Sequence, residues 1–190
     1  GAVMLPYGLA AIVPGFPAAF ALAGLTLGAF ATAVVLARRP ALNQAYVELP
    51  EAERMFLAIG CLLIVGCFFA GESIAYRGIH LLFVLPALNT LARTTPSATG
   101  RRLFATTRAL TLFLMWRETF HHFAIQLLPS ALPAWWAAKE LAWWWLIAVL
   151  AGLALCFVRE STMGQIAVQF RLPRLFARAP LDLPGGRNPS

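Results

Sequence analysis

The chain has 190 residues, is 60% hydrophobic and 12% charged, and carries a mean hydropathy of +0.73 and a net charge of +7. A soluble domain of this size cannot bury that much apolar surface, so a water-soluble globular fold is excluded. The cations follow the connections between apolar runs, which makes anionic lipid, and not nucleic acid, their expected electrostatic partner.

Residues 2–15 are apolar but broken by Pro6 and Pro14, and suit an interfacial or re-entrant segment or the stub of another span. The chain opens on Gly-Ala-Val-Met, so a processed start or a longer natural chain is expected; no basic region precedes the first apolar run, and a signal peptide is not expected. Five stretches of spanning character follow, near Phe16–Ala37, Met55–Gly71, Gly78–Leu91, Leu103–Leu128 and Leu141–Val158. A helix rising 1.5 Å per residue needs roughly 20 apolar residues to cross a bilayer core of about 30 Å. The third stretch is short and holds Pro86, which would kink it or break its hydrogen-bond ladder; the fourth is interrupted by charges. The expected fold is an all-α polytopic transmembrane bundle of about five spans, with residues 1–158 as the membrane domain. Residues 159–190 form a basic amphipathic segment and tail, in which Met163, Ile166 and Phe170 oppose Gln165 and Gln169 ahead of Arg171, Arg174 and Arg178.

Arginine placement predicts the orientation. One face collects Arg38, Arg39, Arg54, Arg93, Arg101, Arg102, Arg159, Arg171, Arg174, Arg178 and Arg187; the other collects only Arg77, Arg117 and Lys139. Basic short loops stay cytoplasmic, so a bacterial inner-membrane protein with its N-terminus outside and its C-terminus inside is expected. Gly24 and Gly28 make a small-xxx-small pair in the first span, and Gly60 and Gly66 suit close packing in the second. Cys61, Cys67 and Cys156 lack metal-ligand spacing and read as small buried hydrophobes.

Polar residues at or within spans need a reason. Glu72, Tyr76 and Arg77 meet where the second and third spans join: either an outer anion site for a phosphate or sugar, or a Glu–Arg pair that fixes the turn. Arg117, Glu118, His121 and His122 share helical spacing at the end of the fourth span, as an interfacial hydrogen-bond network, a proton-handling cluster or a ligand set. Adjacent histidines point in different directions, so no metal site is expected there. His80, early in the third span, is either a helix-packing residue or an axial ligand to a tetrapyrrole pigment; no other cofactor is expected. Arg108 either snorkels to the headgroups or pairs with a Glu of a neighbouring helix. Trp135, Trp136, Trp143, Trp144 and Trp145 surround Lys139-Glu140 as an interfacial aromatic belt or a sugar-stacking surface. No phosphate-binding glycine loop, nucleophile elbow or HExxH motif is present.

The run Cys67-Phe68-Phe69-Ala70-Gly71-Glu72-Ser73-Ile74-Ala75-Tyr76-Arg77-Gly78-Ile79-His80-Leu81-Leu82-Phe83-Val84-Leu85-Pro86 resembles a region of multi-spanning bacterial glycosyltransferases of the mannosyltransferase type, which take sugar from a polyprenyl-phosphate carrier. Glu140-Leu141-Ala142-Trp143-Trp144-Trp145 is similar to the start of a late span in the same proteins. The resemblance covers roughly residues 55–158 and implies that Tyr76 and Arg77 border an external cavity for the lipid phosphate. The catalytic carboxylate that such enzymes carry in their first outer loop has no counterpart here, so no catalytic residue is assigned. Two functions are therefore expected. One is a non-catalytic accessory subunit that packs with other transmembrane subunits and lipid, in a photosynthetic or respiratory complex for example. The other is the C-terminal part of a polyprenyl-phosphate-sugar-dependent glycosyltransferase.

Overall fold

A computed structural model describes Gly15 and residues 17–70, 74–116 and 132–176, with side chains described outside 74–78, 132 and 162–176. Every regular element among the described residues is a helix, in the order α1 (Ala18–Ala37), α2 (Pro40–Val47), α3 (Glu51–Ala70), α4 (Ile74–Thr94), α5 (Ala98–Met115) and α6 (Leu132–Phe176). The chain divides into two compact units, Gly1–Phe157 and Val158–Ser190. The first holds α1 to α5 and the body of α6; in the second, the helical backbone of α6 runs on to Phe176.

Among the described residues, three helices are long and apolar enough to cross a membrane: Ala18–Ala37, Glu51–Ala70 and Pro133–Ser161, with Ile79–Thr94 as a shorter apolar helix. A helical membrane protein is thus the fold class, and these three helices are its clear candidate spans among the described residues. The fourth expected stretch, Leu103–Leu128, is described only through Trp116. Its helix begins earlier, at Ala98, where the Ser97 hydroxyl accepts a hydrogen bond from the Gly100 amide at 3.0 Å. That cap draws Arg101 and Arg102 into the first turn and lowers the apolarity of α5. Residues 117–131, including the rest of that stretch, lie outside the described residues, as does the N-terminal segment through Pro14.

Pro40 and Pro86 both lie within helices. Pro86 lies inside α4, which continues past it to Thr94; an apolar surrounding offers the backbone no better partner than the remaining helical ladder. Pro40 opens α2 within what reads as a loop. The first helical position needs no amide donor, and Leu42, Ala45 and Tyr46 give α2 a buried face.

Helix α3 packs on α4, and α4 on α5. The α3–α4 contact is close because Gly60 lets α4 approach: a Cβ there would stand 2.7 Å from Val84 Cγ1 and 3.0 Å from Phe83 Cβ. Gly152 does the same for α6, where a Cβ would stand 3.2 Å from the Ala33 carbonyl oxygen and from Leu36 Cβ of α1. Buried threonines return their hydroxyl hydrogens to the preceding turn. Thr107 donates to the Leu103 carbonyl and Thr111 to the Thr107 carbonyl, both at 2.8 Å. This back-bonding lets α5 bury polar residues without orphaned donors.

Candidate functional site

The sequence-derived candidates separate into those the structure describes and those it does not. Glu72, Arg117, Glu118, His121 and His122 lie outside the described residues, and Tyr76 and Arg77 are described only as backbone at the start of α4. The histidine cluster and the outer anion site therefore stay expectations.

The tryptophans do not form one belt. Trp143 and Trp144 are each 5% exposed and sit in the interior, not at the lipid-facing surface. Phe68 of α3 meets Trp144 edge-on at 5.1 Å between centroids and Trp143 at 6.4 Å. Aromatic rings of this size contribute through buried area and edge-to-face geometry, so this cluster ties α6 to α3. Trp135 and Trp136 are half-buried, with Trp135 packed edge-on against Phe113 of α5 at 5.0 Å. Of these five, Trp145 is the exposed one, and its indole Nε1 donates to Thr107 Oγ1 at 3.2 Å. Beside this cluster, buried Glu140 pairs with half-buried Lys139 at 3.2 Å. The ammonium keeps that carboxylate from being an isolated charge, which is the condition for burying it.

His80 is half-buried, and its Nδ1 is enclosed without a hydrogen-bond partner among the described residues. Among the described residues no three His, Cys, Asp or Glu side chains gather as a metal set. None of the three cysteines forms a disulfide; Cys61 and Cys156 are buried and Cys67 is half-buried.

Arg108 neither reaches a Glu nor stands alone. Its Nη1 donates to Asn89 Oδ1 of α4 at 2.7 Å. Arg108 follows Ala98 by ten residues, about 15 Å along α5, whereas Asn89 precedes Thr94 by five, about 7.5 Å along α4. Only Thr95–Ser97 separate the two helices, so the guanidinium leans back along α5 toward the α4–α5 turn. That lean is the direction helical side chains take, and it is how a long cation leaves an apolar layer.

That turn is built tightly. Arg101 Nη1 donates to the Pro96 carbonyl at 3.1 Å and, more weakly, to the Thr95 carbonyl at 3.4 Å. The Thr95 hydroxyl donates to the Leu91 carbonyl at 2.6 Å. Gly100 is required: a Cβ there would stand 2.6 Å from Thr95 Cγ2 and 2.8 Å from Ser97 Oγ. Against the turn lies the break between α1 and α2 at Arg38-Arg39, and the two enclose a cavity of about 270 Å³. Leu36, Leu103, Trp145 and Val149 supply apolar wall, and among the described residues Arg39 is its one charged lining residue. The amino-acid sequence does not advertise this site, because its walls come from four separated helices. Only the Arg38-Arg39 pair marks its position.

No family model, no curated protein and no solved structure matches this chain.

Proposed function

We propose that the chain is a non-catalytic integral subunit of a larger membrane assembly, docking a helix of another transmembrane protein on the outer face of α1, and that its likeness to glycosyltransferases reflects descent. The observation that carries this reading is the shape of that face. Phe20, Gly24, Leu27, Gly28 and Ala31 recur at helical spacing, and Phe20, Leu27, Gly28 and Ala31 are exposed. A Cβ built on Gly24 or Gly28 meets nothing within 4 Å, while Phe20 and Leu27 are 81% and 68% exposed. Bulky residues thus flank a shallow backbone trough, the form that lets a second membrane helix approach closely where lipid gains no advantage over protein. The arginine-rich end is assigned to the cytoplasm of a bacterial inner membrane on the strength of its charge asymmetry.

The test is gentle solubilisation of native membranes, purification through this chain, and mass spectrometry of what accompanies it. A transmembrane protein is expected in stoichiometric amount from the parent chain and is lost from the Gly24→Leu/Gly28→Leu variant. Recovery of the chain alone, or of the same companion from the variant, overturns the proposal. Loss of labelled-sugar transfer in an Arg77→Ala strain with normal assembly would replace it with the transferase reading.

A further inference from the structure

The cavity between the α1–α2 break and the α4–α5 turn has apolar walls and, among the described residues, a single cation and no carboxylate in its lining. Its polar groups are mostly committed. Thr32 Oγ1 donates to the Gly28 carbonyl at 2.8 Å, Thr95 Oγ1 to the Leu91 carbonyl, and Ser97 Oγ accepts from the Gly100 amide. Arg39 and Thr99 are the exceptions: neither side chain has a hydrogen-bond or ion-pair partner among the described residues. Both are exposed at the rim. Arg38 at the α1–α2 break and Arg101 and Arg102 near the start of α5 are exposed as well.

We propose that this cavity is a binding site for one anionic glycerophospholipid, its phosphate held by Arg39 and Thr99 and the upper part of one acyl chain lying along Leu36, Leu103, Trp145 and Val149. Guanidinium donors match phosphate oxygens in charge and in fork geometry. Free inorganic phosphate would leave the apolar walls unfilled, and a neutral lipid would leave Arg39 without a counter-charge. A choline headgroup would bring its own cation against the surrounding arginines, so the site discriminates against phosphatidylcholine by repulsion as well as by attraction. The volume lies just below the usual ligand-pocket range of roughly 300–1,000 Å³, which suits the headgroup-proximal portion of a chain and not a whole lipid. The walls are preformed: Gly100 and the Arg101 clip fix the turn, and the Trp145–Thr107 hydrogen bond fixes the indole.

The full chain, reconstituted in phosphatidylcholine nanodiscs, is titrated with phosphatidylglycerol or phosphatidylcholine carrying bromine on the upper acyl carbons, and tryptophan quenching is recorded. The Trp145→Phe variant isolates the Trp145 contribution. Brominated phosphatidylglycerol is expected to quench Trp145 at lower mole fraction than brominated phosphatidylcholine. Arg39→Gln should weaken that preference about fivefold, the equivalent of one Arg–headgroup interaction of about 1 kcal/mol. Arg102→Gln, which removes an equal charge outside the lining, should change it by less than about twofold. Ala148→Phe, which fills the cavity while keeping every arginine, should abolish the preference, with helix content checked by circular dichroism. Equal quenching by the two lipids, or equal losses in Arg39→Gln and Arg102→Gln, would mean diffuse attraction and overturn the site.

Discussion

Trp144 and Trp145 are neighbours in sequence, yet their indole N–H groups are treated in opposite ways. Trp144 is 5% exposed and its Nε1 has no acceptor among the described residues; Trp145 is 43% exposed and its Nε1 donates to Thr107. A buried donor without a partner loses about 1–3 kcal/mol of solvation, whereas a hydrogen bond made contributes about 1 kcal/mol net. Trp144→Phe removes the unsatisfied donor along with some ring volume, and the two effects oppose. We expect it to leave stability nearly unchanged. Trp145→Phe, at the more exposed position, should lower stability by about 1 kcal/mol. Denaturation followed by near-ultraviolet circular dichroism checks the order of the two, and a greater loss from Trp144→Phe would contradict it. The same scale governs Gly60. Gly60→Leu forces Val84 and the Cβ of Phe83 apart and should cost about 1–3 kcal/mol or more, since overpacking moves a rigid helix and not merely a side-chain tip.

At the scale of elements, the α4–α5 hairpin rests on how Arg108 is accommodated. The guanidinium reaches Asn89 and the hydroxyls of Thr107 and Thr111 close onto their own helix, so the buried polar side chains of α5 and Arg108 find their partners within the hairpin. Asn89→Leu strands a half-buried cation and should destabilise by about 1–3 kcal/mol, while the double variant Asn89→Leu/Arg108→Leu should recover most of that loss. A double-mutant cycle in detergent reads the difference; additive losses would show that the pair carries no coupling. This hairpin also shows what the sequence could reveal. The apolar runs place α1 and α3 within a few residues of their ends, because unbroken hydropathy of that length has only one stable form in lipid, whereas α6 begins at Leu132, ahead of the run that opens at Leu141. Helix α5 begins at Ala98, ahead of the apolar run at Leu103, because its start is set by Ser97 capping across a polar, arginine-bearing stretch, which hydropathy scores as loop. The choice between the two expected fates of Arg108 needs Asn89, a residue nineteen positions away whose relevance only the packing of α4 on α5 supplies. The tryptophan cluster misleads for a related reason: a run of indoles at a span's end reads as interface, but Phe68 of α3 draws two of them inside.

For the whole molecule, the distribution of apolar surface identifies the solvent. Phe20, Leu27 and Phe30 of α1 are 81%, 68% and 62% exposed, and Phe56, Leu62 and Phe69 of α3 are 50%, 55% and 47% exposed. Aqueous solution tolerates no contiguous apolar surface of that extent on a monomer. A hydrocarbon layer does, and it makes the effect of a charge depend on depth. Leu27 lies at the midpoint of α1 and Val35 near its end, three residues before Arg38. A lysine at the centre of a span raises the insertion free energy by about 2.5–3.5 kcal/mol, whereas one near the end extends its stem to the headgroups at little cost. Leu27→Lys should therefore prevent α1 from inserting in a glycosylation-mapping assay while Val35→Lys inserts like the parent. If another protein in water covered this face instead, depth would have no meaning, and two lysines at comparably exposed positions would disturb it alike. The contrast between the two variants thus separates lipid from a soluble partner as the medium of this surface.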